Sequence, residues 1–351
     1  MVAMPLPTVP RRAALALAAP WAGWAVLRAA GVERGHPLVP ATAFTRYAAG
    51  TSVLPVAVAL LARSRRATWL AGGAAAVLGG SVLGGSVLGG SVLGGSLLGG
   101  SLLGGSVLGG SVLGTARRTP GTATSGTPLR VASLNMLYGR ADPAAVLALA
   151  ADVDVLALSE VTPEADEALR SAGLGELLPH GHHLAAADPA RPGAGGAVWT
   201  RLPVLARAQL AGHFEQPTVR LAPPGAPPLE VTAVHTHAPT RSPDDVRAWH
   251  RDLDRLPHPQ DGVLRVLAGD FNATPDHAAF RRLLRRGWVD AARATGQALR
   301  PTWTPLRCPF PRLSLDHVLV DPRIGVAALQ IVHMPGTDHR ALIADLRLPP
   351  G

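Results

Sequence analysis

An α+β fold built as a two-sheet sandwich is what residues 129–351 predict, with transmembrane helices ahead of it. Three observations carry this reading. First, LRVASLNM, VDVLALSE, GAVWTR, LEVTAVHTH, VLRVLAGDFN, LDHVLV and ALIADLRL all have the apolar, β-branched character of strands. Second, several of them stay apolar up to a single charged or amide residue, which suits strands buried on both faces with chemistry at one end. Third, residues 13–30 and 47–62 are apolar runs flanked by arginine, and another begins at Ala67.

Between the strands, residues 142–151 and 243–256 carry helical periodicity behind Asp-Pro and Ser-Pro starts. The amino-terminal part divides further. Residues 1–80 are expected to hold two to three transmembrane helices, and residues 81–114 repeat SVLGG or SLLGG as a continuation of the third span. Residues 115–128 turn polar and suit a linker, leaving 129–351 as the catalytic domain. As one helix the repeat would extend roughly 51 Å, against about 30 Å of hydrocarbon, so part of it must lie outside, tilt or leave the helix. Glycines such as Gly85 and Gly89 stand four apart, a spacing that lets membrane helices approach closely, although repeat expansion within a span accounts for it more simply.

A net charge of +9 suggests nucleic acid until it is mapped. All 33 basic residues are arginine, and residues 1–126 hold ten of them against one acid, Glu33. Residues 127–351 are left with 23 arginines and 23 acids, so bulk charge gives no argument for DNA. The excess flanks the apolar runs, where arginine sets topology. With Arg11, Arg12, Arg63, Arg65 and Arg66 inside, three spans place residues 127–351 outside the cell membrane. Cys308 is the single cysteine, so no intramolecular disulfide is available and the core must hold the fold.

The strand ends carry an ordered set of residues. Asn135 stands in SLNMLYG, Glu160 in LALSEVTP, His235 and His237 in VHTHAP, Asp270 and Asn272 in GDFNATP, Asp316 in LDHVLV, and Asp338 with His339 in GTDHRAL. Each motif alone is weak. In this order and spacing they resemble the endonuclease/exonuclease/phosphatase family, and the resemblance covers nearly all of 129–348. It implies a DNase I-like four-layer α/β sandwich of two packed mixed β-sheets flanked by helices. It also implies hydrolysis of a phosphoester by metal-activated water, with Mg²⁺ as cofactor and Mn²⁺ as an alternative.

The chemistry asks for these residue types. A hard cation neutralises phosphate oxygens, and a base activates water. By resemblance Glu160 is the primary metal ligand, with Asn135 and Asp338 nearby. Asp270 orients or deprotonates the water, and Asn272 donates to a phosphate oxygen. His339, paired with Asp316, acts as base or phosphate donor. His235 and His237 lie two apart on a strand and share a face, so periodicity leaves open which one meets the phosphate. Thr302 and Trp303 in PTWTP are expected to line the substrate cleft, Arg220 is a weaker phosphate candidate, and HGHH at 180–183 is expected to be a solvated loop. Ser159 stands where the family often has glutamine.

Spans ahead of such a domain, together with the loop GHPLVPATAFTRYAA, resemble membrane-anchored bacterial members of the family associated with vancomycin- and teicoplanin-type antibiotic resistance. That implies an outward-facing phosphatase on lipid-linked pyrophosphate of the undecaprenyl type. The alternatives are a surface nuclease on DNA or RNA, a phospholipid or sphingomyelin phosphodiesterase, and an inactive binding domain. Nucleic acid is the less favoured partner, and no protein partner is inferred. The arginines of FRRLLRRGW form a basic face, equally consistent with a solvated surface near anionic headgroups.

Overall fold

The computed structural model describes residues 9–87 and 126–351, except 187 and 189. The repeat beyond Val87 and most of the expected linker lie outside the described residues. In chain order the amino-terminal helices are α1 (Arg11–Ala29), α2 (Leu38–Thr42), α3 (Thr45–Thr51), α4 (Val53–Leu61) and α5 (Arg65–Val87). Then follow β1 (Thr127–Asn135), α6 (Pro143–Ala151), β2 (Val155–Ser159), α7 (Pro163–Ser171), α8 (Leu174–Leu177), β3 (His180–Leu184), β4 (Gly196–Thr200), β5 (Val204–Leu210), β6 (Gln216–Leu221) and β7 (Leu229–His235). The remainder comprises α9 (Pro243–Arg255), β8 (Leu264–Asp270), α10 (Ala278–Arg285), β9 (Val289–Asp290), α11 (Ala291–Ala294), β10 (Asp316–Val320), β11 (Gly325–His333) and β12 (Arg340–Leu348).

Two six-stranded mixed sheets result, ordered β11-β12-β1-β2-β4-β3 and β5-β6-β7-β8-β10-β9. Strand alternation explains the layering. On β1 and β2, Val131, Val155 and Ala157 point into the inter-sheet core, where they meet Val231, Ala233, Val266 and Ala268 of the second sheet. The intervening Ala132, Leu134, Leu156 and Leu158 face outward and bury Val146 and Leu149 of α6 and Leu169 of α7. On the second sheet Val234, Leu267 and Leu319 do the same against Trp249 of α9 and Phe280 of α10. Each face of each sheet is therefore covered, which is why these strands need continuous apolar runs. HGHH forms the edge strand β3 rather than a loop, with His182 Nε2 3.0 Å from the Ala208 carbonyl and His183 Nδ1 3.1 Å from Asp166.

The sheet registers place the chemistry. β1 and β2 pair in parallel with Asn135 opposite Ser159, and β7 and β8 pair in parallel with His235 opposite Asp270. β10 runs antiparallel to β8 with Asp316 opposite Asp270. Gly269 allows the close pairing of β7 and β8, because a Cβ there would fall 1.9 Å from the Val234 carbonyl oxygen.

The expectation of transmembrane helices is corrected by the structure: no helix among the described residues is long and apolar enough to cross a membrane. The 19-residue α1 contains Arg11, Arg12, Arg28, Pro20 and two tryptophans. The second apolar run is divided at Ser52 into helices of 7 and 9 residues. The 23-residue α5 starts on two arginines and is diluted by glycine. These helices nevertheless form a bundle. Ala14 packs with Ala59, Ala62 and Ala67, and Ala25 packs with Ala74 and Leu78, so α1 and α5 run in the same direction with α4 returning between them. Exposed Arg11, Arg12, Arg63, Arg65 and Arg66 gather at one end.

The other end of the bundle, residues 28–47, docks on the second sheet's helices. Arg28 pairs with Asp276 at 3.2 Å, Glu33 accepts the Ala278 N–H, and His277 Nε2 meets the Val39 carbonyl at 3.1 Å. Arg46 donates to the Leu299 carbonyl at 3.1 Å, and the Tyr47 hydroxyl donates to that of Arg312 at 3.0 Å. Part of the basic face of α10 looks onto this docking region, since Arg281 lines a small cavity with Arg28, Val32 and Glu33 while donating to the carbonyls of Pro275 and Asp276.

Candidate active site

Five strand ends converge on one cleft. Asn135 ends β1, Glu160 follows β2, His235 ends β7, Asp270 ends β8 and Asp316 opens β10. His339 precedes β12. The site spans both sheets. Asn135 connects them, its Nδ2 donating to Glu160 Oε1 at 2.9 Å and to Asp270 Oδ2 at 3.2 Å. Its side-chain oxygen accepts the Leu137 N–H at 2.9 Å, so Asn135 orients the two carboxylates more directly than it presents an oxygen to a cation. Glu160 and Asn272 both adopt positive φ, at 56° and 46°, in a region where non-glycine residues are uncommon and tend to mark functional positions.

Asp316 and His339 form a buried dyad. His339 Nδ1 lies 2.9 Å from Asp316 Oδ2 and 3.1 Å from Oδ1, which leaves Nε2 toward the cleft, 3.8 Å from Asp270 Oδ2 and 3.9 Å from Asp338 Oδ1. Burial opposes the imidazolium, but the carboxylates of Asp316, Asp270 and Asp338 outweigh it and push its pKa up to about 10. Asp270 is pushed the same way, to about 7, by burial and then by the neighbouring Asp316 carboxylate. Its Oδ1 accepts the Asn272 N–H at 2.8 Å. The Asn272 amide in turn donates to the Thr236 carbonyl at 2.9 Å. A protonated His339 facing the cleft is a donor for a phosphate oxygen, and an Asp270 poised near neutrality is a proton acceptor for water.

The paired histidines separate by environment. His235 is buried, stacked on Phe214 with ring centroids 4.2 Å apart, and its Nε2 lies 3.8 Å from Glu160 Oε1. Burial and then the nearby His339 charge push its pKa down to about 3, so it is a neutral imidazole. His237 lies past the end of β7 and binds Asp245 through Nε2 at 2.8 Å. Both line the cleft. His235 is the one set among the reactive carboxylates.

Two places suit a metal. Asp270, Asp316 and His339 bring one ligand atom each within 4.8 Å of one another, a buried set that could hold an ion. Their dyad atoms are already paired, however. Glu160 and Asp338 offer a different set: burial pushes the Glu160 pKa up, and Asp338 Oδ1 is buried with no hydrogen-bond partner. An unpaired buried carboxylate oxygen beside a second carboxylate fits a hard divalent cation, which keeps most of its waters and needs only one or two carboxylates. Such a cation would neutralise phosphate oxygens and acidify a water.

Trp303 lines the cleft and donates its Nε1–H to Asp338 Oδ2 at 2.9 Å. Thr302 does not line it as expected. It is buried, and its hydroxyl accepts the N–H groups of Leu315 and Asp316 at 2.9 and 3.0 Å, so it fixes the start of β10. Arg220 lies exposed on β6 opposite Glu230, outside the cleft lining. The arginines that do reach the cleft are Arg191, stacked 5.2 Å over Phe214, and Arg241. Both sit in loops where no local pattern distinguishes them from other arginines.

With this geometry in place, the comparisons decide the family. The endonuclease/exonuclease/phosphatase family model matches residues 132–339, more than half of the chain. The chain belongs to this family. Its members are metal-dependent phosphoester hydrolases, and the chain is an enzyme of that kind. A crystal structure of an endonuclease/exonuclease/phosphatase from Beutenbergia cavernae is similar, with 22% identity over 63% of this chain and 72% of that one at a TM-score of 0.51. Humanized D. rerio TDP2 shares 13% identity over 63% and 99% of the two chains at 0.50. Sphingomyelinase C from Streptomyces griseocarneus shares 17% over 62% and 99% at 0.46. At these identities the first two likenesses speak to the fold alone. No curated protein matches the chain.

Proposed function

We propose that this family member is a membrane-associated, Mg²⁺-dependent phosphatase acting on lipid-linked pyrophosphate, with its catalytic domain on the outer face. Glu160 and Asp338 hold the cation, Asp270 accepts the proton of the attacking water, and His339, held by Asp316, donates to the phosphate. His235 and Asn272 position it. The observation that carries the lipid reading is the docked amino-terminal bundle. Its two buried clusters are built mostly of alanine, with Leu78 as the one large buried member, while Val26, Leu61 and Trp69 are 66%, 74% and 80% exposed. Large apolar side chains turned outward from a helical bundle suit a lipid surface. The arginine-rich end lies opposite the docked end, which supports placing residues 28–47 and the catalytic domain on the same side of the membrane.

The deciding experiment follows phosphate release from undecaprenyl pyrophosphate and cleavage of plasmid DNA by the full-length chain with Mg²⁺. EDTA and His339→Ala serve as controls. Metal-dependent release from the lipid with intact DNA is the expected result. Cleaved DNA with untouched lipid overturns the reading in favour of a surface nuclease. A reporter fused after Gly351 checks orientation, and a cytoplasmic signal refutes the outward placement.

A further inference from the structure

The cleft holds about 790 Å³, and its wall is not all catalytic domain. Pro40, Ala43 and Phe44 of the amino-terminal segment line it together with Leu313 and Leu315. The family model begins at residue 132, so this part of the wall comes from outside the matched region. It is firmly seated. Ala43 packs in one apolar cluster with Leu313 and Leu315, against which Tyr47 and Trp303 also pack. The Val39 carbonyl meets His277 just before the segment, and Arg46 and Tyr47 donate to the carbonyls of Leu299 and Arg312 just after it.

Trp303 joins the two halves of the cleft. Its ring borders the apolar cluster, and its Nε1–H donates to Asp338, beside the candidate cation site. One continuous cavity therefore runs from carboxylates and imidazoles to a wall of uncharged side chains. Phe44 stands at that wall with 42% of its surface exposed. An aromatic left open in a cleft, where it contributes little to packing, is available to a ligand. A molecule with phosphate at one end and hydrocarbon at the other matches this layout. A nucleic-acid strand would meet no cation or hydrogen-bond donor along these five side chains.

We propose that Pro40, Ala43 and Phe44, with Leu313 and Leu315, form the subsite for the first hydrocarbon units of a lipid phosphate's chain. The amino-terminal segment is then a specificity-determining part of the active site. This rests on the lipid-pyrophosphatase reading above and identifies the residues that would enforce it.

The test compares a long-chain polyprenyl diphosphate with isopentenyl diphosphate as substrates for the full-length chain in detergent. Steady-state constants are measured for the unmodified enzyme, Phe44→Ser, Ala43→Asp and the distant surface variant Leu205→Ser. The ratio of kcat/KM for long over short substrate should fall about ten-fold or more in the two wall variants, mainly through KM for the long chain. Leu205→Ser should leave the ratio unmoved. An unchanged ratio in both wall variants, or equal losses on both substrates, overturns the subsite while leaving the lipid reading intact. Failure of the unmodified enzyme on every prenyl diphosphate, with nucleic acid cleaved instead, overturns both.

Discussion

The catalytic sandwich and the amino-terminal bundle bury apolar surface in opposite ways. In the sandwich Trp199, Trp249, Phe271, Phe280 and Leu156 are fully buried, and alternation along each strand supplies two cores at once. In the bundle alanines face inward while Leu61 and Trp69 face out. A protein surrounded by water gains by hiding its largest side chains. The sandwich follows that rule, and the bundle departs from it at Leu61 and Trp69 while still burying Leu78. The docked segment 28–47 joins these two regimes at the rim of the active-site cleft.

The largest effect should fall on chemistry, and only on the sandwich. His339→Ala should lower phosphoester hydrolysis by on the order of 10³-fold, since it removes the donor that Asp316 orients. Circular dichroism and the Arg28–Asp276 docking contact should be unaffected. Activity within ten-fold of the parent would place the reactive centre elsewhere. Glu160→Gln should weaken Mg²⁺ binding by roughly 100-fold in titration calorimetry, by analogy with losses at metal-supporting residues. Asp316→Asn should leave that affinity nearly unchanged, and the reverse pattern would move the cation to the Asp270–Asp316–His339 cluster.

The contrast in burial makes its own prediction. Leu156→Ala should destabilise the protein by about 2–5 kcal/mol in denaturant titrations. In detergent Leu61→Ala should cost about 0.5 kcal/mol or less, because that side chain is 74% exposed. A loss at Leu61 as large as at Leu156 would mean that another protein surface covers the bundle.

The smallest effect is the pH dependence of the metal-free chain. The folded pKa of Asp270 is raised to about 7 from an ordinary value of 3.8 by burial and then by Asp316. Between those values the folded state keeps a proton that the unfolded state has released, so stability falls as pH rises through that window. The His339 contribution is fully present below pH 6.5 and is lost as pH rises through about 10. Melting in EDTA should therefore decline in two successive limbs, and Asp270→Asn should flatten the lower one. A lower limb that persists in Asp270→Asn would assign it to another carboxylate.

What could be read from the chain differed between these regions. The residues Asn135, Glu160, Asp270, Asp316 and His339 were legible because each stands at one end of an apolar strand and their motifs, taken in order, resemble those of the family. The edge strands β3, β5, β9 and β11 were not singled out. Their half-exposed sequences lack the continuous apolar run that marked the central strands. Thr302 and Trp303 are neighbours with identical local context. Only the pairing of Trp303 with Leu313 and His339 fixes which way each points, one hydroxyl to the β10 backbone and the other side chain to the cleft.

The sequence by itself determined the apolar strands β1, β2, β4, β7, β8, β10 and β12, the acid, amide and imidazole residues at their ends and the excess of arginine over acid in the amino-terminal third. Periodicity and composition are local, so they survive without coordinates. Tertiary structure alone decided that His235 rather than His237 sits among the reactive carboxylates, that Arg191 and Arg241 reach the cleft, and that Phe44 stands beside Leu313. It also decided that the apolar runs near the amino terminus form broken helices rather than clean spans. Those outcomes depend on contacts between residues far apart in the chain, where the packing of one loop against another selects among side chains that local pattern leaves equivalent.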